Sequence, residues 1–363
     1  MKIVHVVGAR PNFMKIAPIM SAFDRTGEVD QVLVHTGQHY DEALSTYFFE
    51  DLGLPRPDMN LGVGSGSQGV QTARAMIALE PVLEREQPDW AFTVGDANST
   101  MAAALVAAKL GFRVAHVEAG LRSHDWTMPE EINRVVTDRL SDALFTTEPS
   151  AEENLAREGI PDERIHFVGN VMIDTLERHR GRAAALKVAE GMGLEAKRFL
   201  LATLHRPTNV DHADRLAGLL LALTEVAAGT GYDVLLPLHP RTAARVKEMG
   251  LENLLEPLAI MSPLRYLEFL GLLQDAAAVV TDSGGIQDET TVLGVPCITV
   301  RHSTERPVTL THGTNRLYSG DPHGLLDVVR EALLSEGTWV RPPLWDGHAA
   351  ERIVSVTLGP GEN

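Results

Sequence analysis

The 363-residue sequence predicts an α/β protein made of two doubly wound parallel-sheet domains in tandem. Three observations carry this. Short apolar runs alternate with helical patterns through the first half, which is the signature of βαβ units. The alternation stops in a charged, Ala-rich stretch at 178–197 and restarts at Phe199. In both halves the polar and charged residues gather just past the apolar runs, where open parallel sheets receive their ligands. We place the domains at 1–175 and 176–344, with 178–197 as a linker carrying a surface helix. A helix at 345–358 is expected to pack back on the first domain.

Taken in order, 2–7 reads as a buried first strand. Gly8-Ala9-Arg10-Pro11-Asn12 is turn material, and a helix follows with Met14, Ile16, Ala17, Ile19, Met20 and Phe23 at helical spacing. Arg10 and Lys15 flank that strand-to-helix turn, a place suited to an anion. Residues 31–35 form a second strand, followed by Thr36-Gly37-Gln38-His39-Tyr40-Asp41 and a helix to about Asp51. Gly64-Ser65-Gly66-Ser67-Gln68-Gly69 matches a dinucleotide fingerprint, but no strong strand precedes it and no acidic strand end follows. It reads as a loop before the helix 70–86. Trp90-Ala91-Phe92-Thr93-Val94 is a buried strand ending at Gly95-Asp96, and 99–110 is an Ala-rich helix ended by Gly111. Residues 114–117 make the next strand, ending at Glu118. Pro129-Glu130-Glu131 opens the next helix. Asp96, Glu118, Glu130 and Glu131 therefore converge on one sheet edge. Several acids there raise one another's pKa, an arrangement used for moving protons; helix capping and first-turn charge are the structural alternative. Residues 143–147 and 165–168 are further strands, and Ser150 is placed as the cap of the helix 151–158.

The second half repeats the pattern. Strands at 199–204, 234–238, 276–280 and 297–300 end respectively in His205-Arg206, His239-Pro240-Arg241, Asp282-Ser283-Gly284-Gly285 and Arg301-His302. Ser283, Gly284 and Gly285 leave backbone N–H groups uncovered at a helix N-terminus, which suits a phosphate or diphosphate. Glu289 lies about one turn further on, within reach of ribose hydroxyls. Two Rossmann-like halves with polar strand ends imply a cleft between domains. His205 and His239, each beside an Arg, are candidates for phosphate contacts or proton work. The acids and histidines lack short ligand spacing, so neither a metal nor another cofactor is expected.

Composition narrows the partners. A net charge of −17 argues against nucleic acid and anionic membrane surfaces. Cys297 is the sole cysteine, which fits a reducing compartment. No apolar run approaches the roughly 20 residues that span a bilayer, and the N-terminus shows no secretory pattern. A cytoplasmic protein is expected.

The quoted motifs, together with His116-Val117-Glu118-Ala119-Gly120-Leu121-Arg122, Pro129-Glu130-Glu131-Ile132-Asn133-Arg134 and Thr304-Glu305-Arg306-Pro307, run in order from residue 8 to residue 307. In this the chain resembles the non-hydrolysing UDP-N-acetylglucosamine 2-epimerases, whose two-domain architecture is called GT-B. The resemblance implies anti elimination of UDP across C1–C2 of the sugar, a 2-acetamidoglucal intermediate, and re-addition after the C2 proton is replaced from the other face. It implies that Asp96, Glu118 and Glu130 handle protons and stabilise positive charge at C1, and that His205 lies by the diphosphate. Arg10, Lys15, Ser283, Gly284, Gly285 and Arg306 would then bind the diphosphate, Glu289 the ribose, with Phe269 by the uracil; Arg134 and His239 complete the substrate contacts. A UDP-sugar partner, a homodimer and a role in cell-surface polysaccharide synthesis are implied in the same way.

The chain departs from the better-known bacterial pattern at three places: a shorter segment between Glu118 and Glu130, Pro207-Thr208-Asn209 with Arg241, and Tyr40-Asp41. The last predicts weak or absent activation by UDP-N-acetylglucosamine, and all three leave room for a modified UDP-2-acetamido sugar. A GT-B glycosyltransferase, a hydrolysing epimerase and a non-catalytic sugar-nucleotide sensor remain as competing readings. The transferase would need one base at most in the first domain; the sensor would not need all three acids.

Overall fold

In the computed structural model the described residues are 1–8, 10–37, 53, 56–335 and 339–359. They fall into two units, Met1–Arg178 with Pro343–Asn363, and His179–Pro342.

The first unit is built on a parallel sheet of β1 (Lys2–Val7), β2 (Asp30–His35), β3 (Met59–Asn60), β4 (Trp90–Val94), β5 (Arg113–Ala119), β6 (Ala143–Thr146) and β7 (Ile165–Phe167). Their spatial order is β3-β2-β1-β4-β5-β6-β7. The chain starts in the middle, winds outwards to one edge, then returns and winds the other way. The reversal falls between β1 and β4, where such sheets open a crevice at their C-terminal ends. The central strands are apolar on both faces because helices cover both. Phe92 of β4 meets Phe23 edge-on at 5.7 Å and stacks with Phe145 at 6.2 Å. The helices α1 (Arg10–Asp24), α2 (Gln68–Glu86), α3 (Asn98–Leu110), α4 (Pro129–Leu140) and α5 (Pro149–Arg157) alternate with the strands.

The second unit holds β8 (Phe199–Thr203), β9 (Asp233–Pro237), β10 (Ala259–Met261), β11 (Ala278–Thr281), β12 (Cys297–Thr299) and β13 (Asn315–Leu317), in the order β10-β9-β8-β11-β12-β13, all parallel. Its reversal falls between β8 and β11. The helix Ala213–Thr230 buries Leu216, Leu219, Leu220, Leu223 and Val226, the stripe that its 3.6-residue period predicts.

Three details depart from the sequence reading. Residues 178–197 do not begin as a linker: the helix α6 (Val171–Ala185) runs through the boundary, burying its first six residues, Asp174 included, and then His179 and Ala183, while Arg178, Arg180 and Arg182 are exposed. The short helix Val188–Gly191 follows it. Ser150 does not cap α5. That position is Glu148, with Pro149 first in the helix, and Ser150 Oγ donates to Glu148 Oε1 at 2.5 Å. The last helix spans Ala349–Leu358 and packs on α1. Trp345 precedes it as a 1% exposed anchor whose Nε1 donates to the Thr147 carbonyl at 2.8 Å. The helix expected to end near Asp51, and Gln38-His39-Tyr40-Asp41 with the activation expectation resting on them, lie outside the described residues.

Candidate active site

At the reversal point of the first sheet, four segments meet. Gly95 follows β4 at φ +69°, a conformation that favours glycine. A Cβ there would lie 2.9 Å from Lys15 Nζ and 3.4 Å from both Asn12 Nδ2 and Glu118 Oε2, so the turn, α1 and β5 are in direct contact. Asn12 Nδ2 donates to the Val94 carbonyl at 2.9 Å, fixing the start of α1 against the end of β4. Lys15 Nζ donates to Glu118 Oε2 and forms an ion pair in which both side chains are buried. Two charges out of water require each other, because removing either strands the other.

Glu118 lies in β5 at a register break between Val117 and Ala119, with φ +70°. A bulge inserts one unpaired residue and re-aims its side chain. A non-glycine residue at positive φ costs on the order of 1 kcal/mol or more and persists where the surroundings enforce it. Here they do: His116 Nδ1 lies 2.6 Å from Asp138 Oδ1, His116 Nε2 lies 2.8 Å from the Gly95 carbonyl, and Gly120 N donates to Asp138 Oδ2 at 3.1 Å. Arg122 completes the set with Nη1 2.7 Å from Asp138 Oδ2. Burial raises the Asp138 carboxyl, but His116 and Arg122 outweigh it and hold it below the usual range. This buried network on both sides of Glu118 is legible only in hindsight, from the polar residues inside His116-Val117-Glu118 and at position 138.

Asp96 stands beside it, with a half-exposed side chain. Arg134, which is buried, donates Nε at 3.1 Å and Nη2 at 2.8 Å to Asp96 Oδ2. The Arg134 Nη1 goes to Glu131 Oε2 at 2.5 Å. Arg134 is thus engaged with carboxylates and holds Asp96 in place. The two adjacent acids of α4 differ. Glu130 is exposed. Glu131 is buried and accepts from Ser123 N, Ser123 Oγ and His124 N, each at 2.9 Å, so it ties down the 123–124 turn. Arg10 opens α1, but its side chain is outside the described set.

The second unit carries the helices α7 (Val188–Gly191), α8 (Pro207–Val210), α9 (Ala213–Thr230), α10 (Pro240–Glu248), α11 (Tyr266–Asp275) and α12 (Gly284–Leu293). Ser283 stands at the N-cap position of α12, two residues past β11, with no capping bond from its side chain. Gly284 meets Arg306: a Cβ would stand 2.7 Å from Arg306 Nη1. Only glycine lets the guanidinium sit over this positive helix end. Arg306 is held by Asp288 Oδ2 at 3.0 Å and by Glu305. Glu305 also pairs with Arg301 at 2.8 Å and lies 3.7 Å from Arg206. Burial raises the Glu305 carboxyl, but the three guanidinium groups hold it far below its ordinary value. Arg206, Arg301 and Arg306 thus gather around Glu305 beside a helix N-terminus, with Asp288 as a second partner of Arg306, and backbone N–H groups and guanidinium groups together can receive an anion there. Arg206 and Arg301 were not among the candidate residues; their signal was an Arg directly past a strand.

His205 and His239 come together with ring centroids 5.7 Å apart. His205 is half-exposed and His239 exposed. Glu289 is buried in α12 and accepts from Tyr266 Oη at 3.1 Å; burial pushes its carboxyl up to about 8. Tyr266 and the half-buried Phe269 share helix α11.

Comparison with known proteins follows the same path through both units. A sequence profile described as UDP-N-acetylglucosamine 2-epimerase matches residues 21–358. A protein of that name from Methanococcus maripaludis is 41% identical over 364 residues, covering 99% of this chain and 98% of its own. A UDP-2,3-diacetamido-2,3-dideoxy-D-glucuronate 2-epimerase from Pseudomonas aeruginosa is 40% identical over 336 residues, 92% of each chain. The crystal structure of the Methanocaldococcus jannaschii UDP-GlcNAc 2-epimerase in complex with UDP-GlcNAc and UDP superposes with a TM-score of 0.93 at 41% identity, covering 99% of this chain and 100% of that one. The fold is accordingly GT-B-like, and with the match running through both sheets, this chain belongs to the UDP-N-acetylglucosamine 2-epimerase family.

Proposed function

We propose that the protein interconverts UDP-N-acetylglucosamine and UDP-N-acetylmannosamine by epimerisation at C2, for cell-surface polysaccharide synthesis. The observation that carries this is the pair Asp96 and Glu118, two carboxylates at one sheet edge, each gripped by a buried cation. A carboxylate takes the C2 proton as the C1–O bond breaks and its electron pair leaves with the diphosphate. The 2-acetamidoglucal then accepts a proton at C2 from the other face, and the diphosphate oxygen returns to C1. Positive charge developing at C1 is stabilised by preorganised carboxylates. Asp96, Glu118 and Glu130 serve the sugar. Arg10, Lys15, Ser283, Gly284, Gly285 and Arg306 serve the diphosphate, with His205 and His239 beside it. Glu289 takes the ribose, Phe269 the uracil, and Arg134 orients Asp96. We infer, on the family resemblance, domains meeting near residue 175, a homodimer and a cytoplasmic setting.

The 40% identical Pseudomonas relative favours a second reading, with a UDP-2,3-diacetamido uronic acid sugar as substrate. Incubation with each UDP-sugar in heavy water, followed by NMR, decides between them. The preferred reading expects deuterium at C2 of UDP-N-acetylglucosamine, its manno epimer appearing, and no net release of UDP. Exchange with the diacetamido sugar alone favours the second reading, and free N-acetylmannosamine with UDP favours a hydrolysing enzyme.

A further inference from the structure

The neighbouring strands β8 and β11 end at His205-Arg206 and at Asp282, and one carboxylate joins them. Asp282 is completely buried. Its oxygens accept from His205 N at 3.0 Å, Arg206 N at 2.9 Å and Asn209 Nδ2 at 3.2 Å. His205 Nδ1 lies 2.8 Å from Asp282 Oδ1. Each of the other three contacts brings a hydrogen to Asp282, so the carboxylate is an acceptor on all sides. Burial would raise its pKa, but His205 and the surrounding donors hold it below the ordinary value. An ionised carboxylate facing Nδ1 requires the hydrogen to be on Nδ1. The ring is half-exposed, which leaves Nε2 for a ligand. One residue on, Arg206 reaches towards Glu305 in the arginine cluster.

We propose that Asp282 is the positioning residue of His205: it keeps the hydrogen on Nδ1, so that Nε2 hands a proton to the departing diphosphate oxygen and recovers it on re-addition. This rests on the reading of His205 as the histidine at the diphosphate. A ring that cycles its proton at Nε2 can do so only while Nδ1 stays protonated. Replacing the carboxylate by an amide presents Nδ1 with a donor and favours the opposite tautomer, which in the serine-protease triad costs about 10⁴-fold in turnover.

The test uses full-length enzyme labelled with ¹⁵N-histidine, with His205 assigned by its loss in His205→Asn. In the parent, neutral His205 is expected as the Nδ1–H tautomer; in Asp282→Asn, as the Nε2–H tautomer. Asp282→Asn should lower kcat about 100-fold or more with KM within about threefold, and add little to the loss caused by His205→Asn. The Nε2–H tautomer in the parent would overturn the proposal even if the variant did not fold. A catalytically intact Asp282→Asn beside a crippled His205→Asn would also overturn it. An intact His205→Asn would instead remove His205 from the diphosphate, and the proposal with it.

Discussion

Glu130 and Glu131 are neighbours in sequence with opposite environments. Glu131 is 1% exposed and takes three hydrogens from the 123–124 turn plus the Arg134 guanidinium. Its charge is structural, and removing a buried charged partner costs about 3 kcal/mol. Glu131→Gln should therefore lower the thermal midpoint clearly, whereas Glu130→Gln should leave it unchanged and cut turnover by on the order of 100-fold. Thermal unfolding and the isomerisation assay together decide this, and the reverse pattern would exchange their roles. Glu289 gives a pH-dependent prediction. Its folded carboxyl holds a proton up to about 8, while the unfolded chain releases it near the ordinary 4.5. Between those values the folded state binds more protons, so this group's contribution is present below the window and lost as pH rises through it. Glu289→Gln cannot ionise and keeps an acceptor for Tyr266. Its stability relative to the parent should rise by on the order of 4 kcal/mol between about pH 5 and pH 9. Equal differences in denaturation midpoint at both pH values would contradict it.

At the scale of elements, the strand ends and helix starts carry the site. The bulge at Glu118 and the turn at Gly95 are held by His116 and Asp138, and the start of α12 is shaped by Gly284. Gly284→Ala places a methyl 2.7 Å from Arg306 Nη1. The guanidinium must move off the helix end, so UDP affinity should fall about tenfold by calorimetry, since one charge-assisted contact contributes roughly 1.5–3 kcal/mol. Unchanged affinity would place the anion elsewhere. Most elements were legible from sequence because their apolar runs are long enough to show a period. β3, β10 and β13 were not: they are two or three residues long and, unlike the equally short but fully buried β12, carry no buried apolar run to mark them, so their pairing comes from neighbouring strands. The stretch after residue 178 misled for a different reason. Its charges and Gly181 suggested a linker, but α6 continues past residue 178 and still buries His179 and Ala183, while Arg178, Arg180 and Arg182 are exposed.

At the scale of the molecule, the chain makes two sheets of the same winding, and its end belongs to the first unit. Trp345 secures that return with a fully buried ring and a bond to Thr147. Trp345→Ala should destabilise the first unit by about 3–5 kcal/mol. Hydrogen exchange would then quicken in β6 and β7 and stay unchanged in β9 and β12; uniform quickening would show that the units unfold together. No helix among the described residues is long and apolar enough to cross a membrane.

The sequence by itself determined the fold class, the restart of the βα pattern, the family resemblance and the identity of most candidate residues. These depend on local periodicity and on motif residues, which are written along the chain. Only the tertiary structure decided which acid is buried, that Lys15 and Arg134 grip Glu118 and Asp96, and that Asp282 stands behind His205. Those facts depend on residues 77 and 103 positions apart meeting at strand ends. Burial and charge pairing of that kind are set by sheet order, and no local pattern encodes it.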